Sequence, residues 1–226
     1  MKQCVILAGG RGTRLGALGE NLPKPLQPVA ERPFLAHLFA KAARSGISEI
    51  LLLAGFKAQM IAAFAEDEVR RYPGVKVSLS IEPEPLGTAG ALAHASSKLD
   101  ERFLLVNGDT WFDFDWRALS VGEPAFAAVA LRHVEIADRY ETAQLHGGMI
   151  TALEPRDPQR AEGLINGGVY AMDRRAILAG EVSLEQETLP RLCREGRLAG
   201  ARFDGAFIDI GVPESLAAAQ DMTFSS

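Results

Sequence analysis

The sequence predicts an α/β fold: a three-layer arrangement in which helices flank a mixed, mainly parallel central sheet, followed by a smaller α+β lobe. Three observations predict it. Short apolar runs alternate with amphipathic ones through the first half of the 226 residues. The strands of that half are continuously apolar, as strands covered on both faces are. After about residue 125 strands succeed one another with few helices between them. No low-complexity linker and no repeat separates the halves, so the chain reads as one domain, 1–226, with lobes of about 1–120 and 121–226.

Each element has its own reason. QCVILA (3–8) is a short buried strand. Residues 33–46 carry helical spacing, with Pro33 at the start and Gly46 at the end. EILLLAG (49–55) is a second buried strand, 58–72 an amphipathic helix, and VKVSLSI (75–81) an alternating strand. Residues 88–99 read as helix, and RFLLVNGD (102–109) as a strand running into a turn. Strands separated by helices imply right-handed crossovers. In the second half, 125–131, 142–147, 149–154 and 165–172 read as strands. Helices follow near 173–180 and 184–195, then strands at 199–203 and 206–211, and a last helix from Pro213 to about Gln220.

Composition narrows the function classes. The chain is 47% hydrophobic and 23% charged, enough for one sizeable core. Its net charge of −5 does not favour nucleic acid or an anionic membrane as a partner, so any anion must be held by a local site. Cys4 and Cys193 are far apart, which argues against a disulfide scaffold or a cysteine zinc site and fits a reducing cytoplasm. The N-terminal apolar run is too short for a signal peptide core, and no segment is long enough to span a bilayer.

LAGGRGTRLGALGENLPKPLQP (7–28) follows the first strand directly. Ligands of open α/β sheets bind at the carboxyl ends of strands. Glycines let backbone N–H groups approach phosphate oxygens, and Arg11, Arg14 and Lys24 add charged donors. It is not a Walker loop, which needs G-x-x-x-x-G-K-[ST]. Nor is it a dinucleotide fingerprint, because Gly10 and Gly12 are followed by Leu15 where the third glycine belongs. A surface turn with solvated charges is the alternative.

Two aspartates complete the pattern. Asp109 ends a buried strand, and Asp209 lies between Ile208 and Ile210. An acid in such a strand either caps a turn or binds a cation. Mg²⁺ takes hard oxygen ligands, often one or two carboxylates plus phosphates.

At these residues the chain resembles the sugar-phosphate nucleotidyltransferases, which join a nucleoside triphosphate to a sugar 1-phosphate and release pyrophosphate. LAGGRGTRL with PKP, EPEPLGTAGAL (82–92), NGDTWFDFD (107–115), INGGVY (165–170) and FIDIGVPESLAAAQ (207–220) fall in that family's order across nearly the whole chain. Within it, the wording and compact length look most like the D-glycero-α-D-manno-heptose 1-phosphate guanylyltransferases, then the mannose 1-phosphate guanylyltransferases. The resemblance implies catalytic roles for Arg14 and Lys24, and Mg²⁺ held by Asp109 and Asp209. It implies nucleotide contacts from Leu7, Ala8, Gly9, Gly10, Gly12, Thr13, Gly87, Thr88, Asn107 and Gly108. Glu82 falls where some thymidylyl-transferring relatives carry glutamine. A carboxylate only accepts hydrogen bonds, which suits the adjacent N1–H and 2-amino donors of guanine, so GTP is the favoured triphosphate. The alternative is that Glu82 and Glu84 are surface charges beside Pro83 and Pro85.

For the sugar phosphate, the resemblance implies Asn166, Gly167 and Gly168, with Glu185 as an acceptor of sugar hydroxyls. A β-bulge is the other reason for glycines there. Two departures fall in this half. Family members carry Glu-Lys before the NGG strand, where this chain has Glu154, Pro155 and then Arg156 as the substitute cation. They also read Arg-Tyr-Gly where this chain has RYETAQ, with Glu141 at the glycine. A UTP-using enzyme, a molybdopterin-type acceptor and a non-catalytic sensor of nucleotide sugars are the competing readings. A homo-oligomer would have to use the core fold.

Overall fold

A computed structural model of the chain describes residues 1–138 and 140–224; Arg139 of the RYETAQ segment and the last two residues lie outside them. In chain order the elements are β1 (Gln3–Ala8), α1 (Ala17–Asn21), β2 (Pro28–Val29), β3 (Arg32–Pro33), α2 (Phe34–Arg44), β4 (Glu49–Ala54), α3 (Ala58–Glu68), β5 (Lys76–Ile81), α4 (Gly87–His94), β6 (Arg102–Asn107) and β7 (Thr110–Phe112). The second half supplies β8 (Ala127–Val134), β9 (Thr142–His146), β10 (Met149–Glu154), β11 (Gly163–Asp173), α5 (Leu189–Arg194), β12 (Leu198–Phe203), β13 (Phe207–Asp209) and α6 (Pro213–Ala219).

Nine strands form one sheet in the order β5-β4-β1-β6-β11-β8-β12-β10-β9. The sheet is mixed, but the expectation of a mainly parallel one holds only for its first half. β5, β4, β1 and β6 are parallel, as is the β12–β8 pair. β11 runs antiparallel to both β6 and β8, and β10 is antiparallel to β12 and β9. The cause is the connections: a parallel pair needs a long crossover, and helices are scarce after residue 125.

Successive strand residues point to opposite faces, and each face meets its own helices. Cys4, Ile6, Ile50 and Leu52 pack with Phe34, Leu38 and Phe39 of α2 and Ile61 of α3. Val5, Leu51, Leu53 and Leu105 pack with Leu92 of α4 and Leu189 and Leu192 of α5. That is why these strands read as unbroken apolar runs. Gly46, at φ 75°, follows the end of α2, where a left-handed residue stops the helix at no steric cost.

Residues 173–180 are not the expected helix. Only a 3₁₀ turn, Arg174–Ala176, forms there. The Asp173 carboxylate accepts the N–H of Arg175 at 2.9 Å and binds its guanidinium, a local bond that competes with helix continuation. The region expected as helix to residue 99 leaves α-geometry at His94 and continues as a 3₁₀ turn, Ser96–Lys98. The sequence reading placed a strand at 206–211 but missed β7 and its antiparallel pairing with β13. That pairing sets Asp209 opposite Thr110.

Candidate active site

The parallel strands β5, β4, β1 and β6 all end at one edge of the sheet. The residues that leave them, Glu82, Gly55, Gly9 and Gly108, line a single cavity of about 590 Å³. Gly108 donates its N–H to Leu7 O at 3.0 Å, and a Cβ there would lie 2.3 Å from that oxygen. The backbone of β6 is thus pressed against β1 where the chain turns to Asp109.

Four charged groups converge beside this turn. Lys24, only 8% exposed, donates from Nζ to Asp109 Oδ2 at 2.8 Å. Asp209 Oδ1 accepts the N–H of Gly211 at 2.6 Å. A Cβ on Gly211 would sit 2.6 Å from Asp209 Oδ1 and 3.2 Å from Arg14 Nη2, so the carboxylate and the guanidinium share that corner. Burial holds the Asp209 carboxyl above the usual carboxylate range, and the charge of Asp109 adds to it; Lys24, the Gly211 N–H and Arg14 act in the opposite direction. Two hard oxygen donors on the wall of that cavity fit a Mg²⁺ ion that takes its remaining ligands from phosphate and water. Among the described residues there is no cluster of three or more His, Cys, Asp or Glu that could hold a metal by itself.

At the other end of the cavity, Glu82 N–H bonds Ala54 O at 2.9 Å, which extends the β5 ladder by one residue. Its Oε2 accepts the N–H of Leu86 at 3.1 Å. Its Oε1 lies over Gly9 and Gly55, so the side chain faces the cavity wall and is no stray surface charge. Glu84 lines the same cavity.

Thr88 does less than a free hydroxyl at a helix start would. Its Oγ1 accepts the N–H of Leu184 at 2.7 Å and donates to Glu185 Oε2 at 3.0 Å. Ala89 N–H is likewise used, by Val182 O at 3.0 Å. The segment Leu184–Thr188 is a π-helical turn, a geometry that recurs at functional sites. It delivers Glu185 to the cavity.

Of the residues expected from the sequence, the cavity wall includes Leu7, Ala8, Gly9, Gly10, Gly12, Arg14, Lys24, Glu82, Gly87, Thr88, Asn107, Gly108, Asp109, Glu185 and Asp209. Thr13 does not line it, nor do Glu154, Arg156, Asn166, Gly167 and Gly168. Glu154 is engaged by Arg160 and by Gln144 Nε2 at 3.0 Å, and Arg160 pulls its carboxyl below the ordinary range. Arg160, not the exposed Arg156, is the cation that pairs with Glu154. Asn166 spends both ends of its amide inside the chain, on Tyr170 Oη at 2.8 Å and Gly168 N at 2.9 Å. The register of β11 against β8 shifts between Asn166 and Tyr170, and Gly168 has φ 70°. A Cβ on Gly167 would lie 2.4 Å from Phe112 Cδ1. The bulge reading therefore has a complete structural cause. Behind it, Tyr170 is fully buried, and that burial pushes its hydroxyl to a higher pKa, with the charge of Glu185 next.

Sequence reasoning missed Gly55, Phe56 and Thr110, which also line the cavity. The signal for the first two was present: they follow a parallel strand at its carboxyl end, by the rule that singled out Gly9. Thr110 became visible only with the pairing of β7 and β13.

The sequence model of the family described as Nucleotidyl transferase matches residues 3–225. A D-glycero-alpha-D-manno-heptose 1-phosphate guanylyltransferase of Campylobacter jejuni is 34% identical over 94% of this chain and 96% of its own length. A protein of the same description from Aneurinibacillus thermoaerophilus is 34% identical over 96% of each. Among solved structures, HddC from Yersinia pseudotuberculosis complexed with GMP-PN superposes with a TM-score of 0.81 at 29% identity, covering 98% of this chain and 99% of that one.

Proposed function

The chain belongs to the nucleotidyl transferase family, and on that premise we propose that it is a sugar-1-phosphate guanylyltransferase that moves GMP from GTP to D-glycero-α-D-manno-heptose 1-phosphate. The observation that carries the reading is the convergence of Lys24, Asp109, Arg14 and Asp209 beside the glycine loop, in one cavity with Glu82. The guanylyltransferase relatives and the GMP-PN-bound neighbour support the choice of base and acceptor. Mannose 1-phosphate is the second acceptor, on the sequence resemblance alone.

The reaction joins two anions. An oxygen of the sugar phosphate forms a bond to the α-phosphorus, and the bond to the pyrophosphate breaks, with the electron pair leaving on pyrophosphate. The attacking oxygen is already ionised, so no general base is required. The cost is charge repulsion and alignment. Lys24 and Arg14 place cationic donors where negative charge accumulates, and the loop Gly9–Gly12 presents backbone N–H groups with little side chain in the way. Asp109 and Asp209 would hold Mg²⁺, which supplies further neutralisation of the phosphates.

On this reading the ligand runs along the carboxyl ends of the strands. Glu82, after β5, takes the base. Gly9 to Gly12, after β1, take the phosphates together with Gly108 and Asp109. Asn107, the last residue of β6, stays with the nucleotide, and Glu185 takes the acceptor end, with residues 121–226 as the sugar lobe and the Asn166–Gly168 bulge behind it. Helices on both faces of the sheet complete the three-layer form.

A pyrophosphate-release assay with Mg²⁺ tests the reading by crossing five triphosphates with heptose, mannose and glucose 1-phosphates. Release specific to GTP and heptose 1-phosphate is expected. Release with mannose 1-phosphate alone would replace the acceptor, preference for another triphosphate would remove guanine, and no release with any pair would favour a nucleotide sensor.

A further inference from the structure

Glu82 is held in place by space that two glycines leave. A Cβ built on Gly55 would stand 2.1 Å from Glu82 Oε1, 2.8 Å from Cδ and 2.9 Å from Cγ. A Cβ on Gly9 would stand 2.8 Å from the same Oε1. The other oxygen is fixed by the Leu86 N–H at 3.1 Å. The carboxylate is therefore oriented by one backbone donor and by the absence of two methyl groups. Gly55 has no left-handed φ, so its backbone accepts alanine. The three atoms nearest to an alanine methyl there belong to the Glu82 side chain, which can swing away.

We propose that Gly55 is a specificity-determining position: it keeps open the space in which Glu82 Oε1 can face the base, and any side chain there turns the carboxylate off the guanine edge. The inference rests on the reading that Glu82 accepts from the base, and it adds the residue that positions it. Gly55 acts through Glu82 and makes no contact with the reacting atoms.

The experiment compares the Kd values of GTP and ITP, measured with Mg²⁺ by calorimetry without an acceptor sugar. ITP keeps N1–H and lacks the 2-amino group, so the ITP/GTP ratio reports the carboxylate's second hydrogen bond. The wild-type ratio is expected to be about tenfold or more, the range for a hydrogen bond to a charged group. Gly55→Ala is expected to lower it toward one, with GTP affinity falling more than ITP affinity, while Tm stays near wild type. The double variant Gly55→Ala/Glu82→Gln should match Glu82→Gln alone, because both changes remove one contact. Gly9→Ala, with the smaller intrusion, should lower the ratio partway; the ratio cancels any general effect on the phosphate loop, and this arm stands if Gly55→Ala does not fold.

If Glu82→Gln lowers the ratio and Gly55→Ala and Gly9→Ala leave it unchanged, the positioning proposal is overturned and the base reading stands. If Glu82→Gln itself leaves the ratio unchanged, the base reading fails. Additive losses in the double variant would show that Gly55 acts by another route, which also overturns the proposal.

Discussion

Lys24 shows how a single side chain joins stability to chemistry. Its ammonium is buried and holds Asp109 at 2.8 Å. The motif PKP made it legible in the sequence; the partner 85 residues away was not. Lys24→Ala and Arg14→Ala are each expected to keep the native circular dichroism spectrum and lower kcat by about 10²–10³-fold, the usual cost of removing one donor from developing negative charge. Near-normal turnover in either variant would take that residue out of the mechanism. Asp209 carries the opposite balance. Burial and the neighbouring Asp109 both disfavour its charged form, so in the protein free of divalent cation it opposes folding at neutral pH. Asp209→Asn keeps an oxygen for the Gly211 N–H and removes the charge. It should raise Tm by about 2–4 °C, of order 1 kcal/mol in a chain of this size, and abolish turnover. A lower Tm in calorimetry would mean that the carboxylate is net stabilising. Glu154 marks the limit of reading at this scale. Its partner Arg160 sits in an irregular loop, where spacing carries no information about contact.

Elements were legible wherever local pattern and tertiary environment agreed. β1, β4 and β6 were, because both faces of each are covered by helices. Residues 173–180 were not, because one aspartate bonds its own neighbourhood. The glycines of β11 were legible as special and ambiguous as to cause. Gly167 faces Phe112 Cδ1 at 2.4 Å and Ala130 O at 2.8 Å from where a Cβ would be. Gly167→Ala should therefore destabilise by about 1–3 kcal/mol through overpacking, read as a lower urea midpoint with unchanged slope. A neutral result would free this strand to be explained by ligand contact. His37 on α2 gives the pH prediction. It is 7% exposed, its Nε2–H donates to Val29 O at 2.9 Å, and its ring stacks on Phe224 with centroids 4.1 Å apart. Burial lowers its pKa; the Val29 carbonyl and Glu68 resist, and Arg32 reinforces. The unfolded chain then binds a proton more readily than the native one. His37 contributes stability above the unfolded value of about 6.5, and that contribution is lost as pH falls through the native value. His37→Phe should flatten the fall in the urea midpoint between pH 7.5 and pH 5; an identical slope in both proteins would assign the pH dependence to other groups.

At the scale of the molecule, the change in texture near residue 125 was legible, and its meaning was not. It marks a change of strand direction within one sheet. β6 pairs with β11 from Arg102–Asp173 to Val106–Val169, so the two halves share a hydrogen-bonded ladder. Trp111, Trp116, Ala171, Ile210 and Phe224 share one core with the α2 face of the sheet, and Asp209 reaches the cavity from beyond residue 200. Cutting near residue 120 would expose an unpaired β6 edge and remove Val169, Ala171, Ile210 and Phe224 from that core. The chain should therefore unfold in urea as a single transition. The two tryptophans, both buried in the first half beside the junction, report local packing by fluorescence, and far-ultraviolet circular dichroism reports both halves. Coincident midpoints are expected, and residues 1–120 expressed alone should show no cooperative transition. Separated midpoints, or a cooperative 1–120 fragment, would mean that residues 121–226 are an independent unit and that the shared ladder contributes little to holding Asp209 near Asp109.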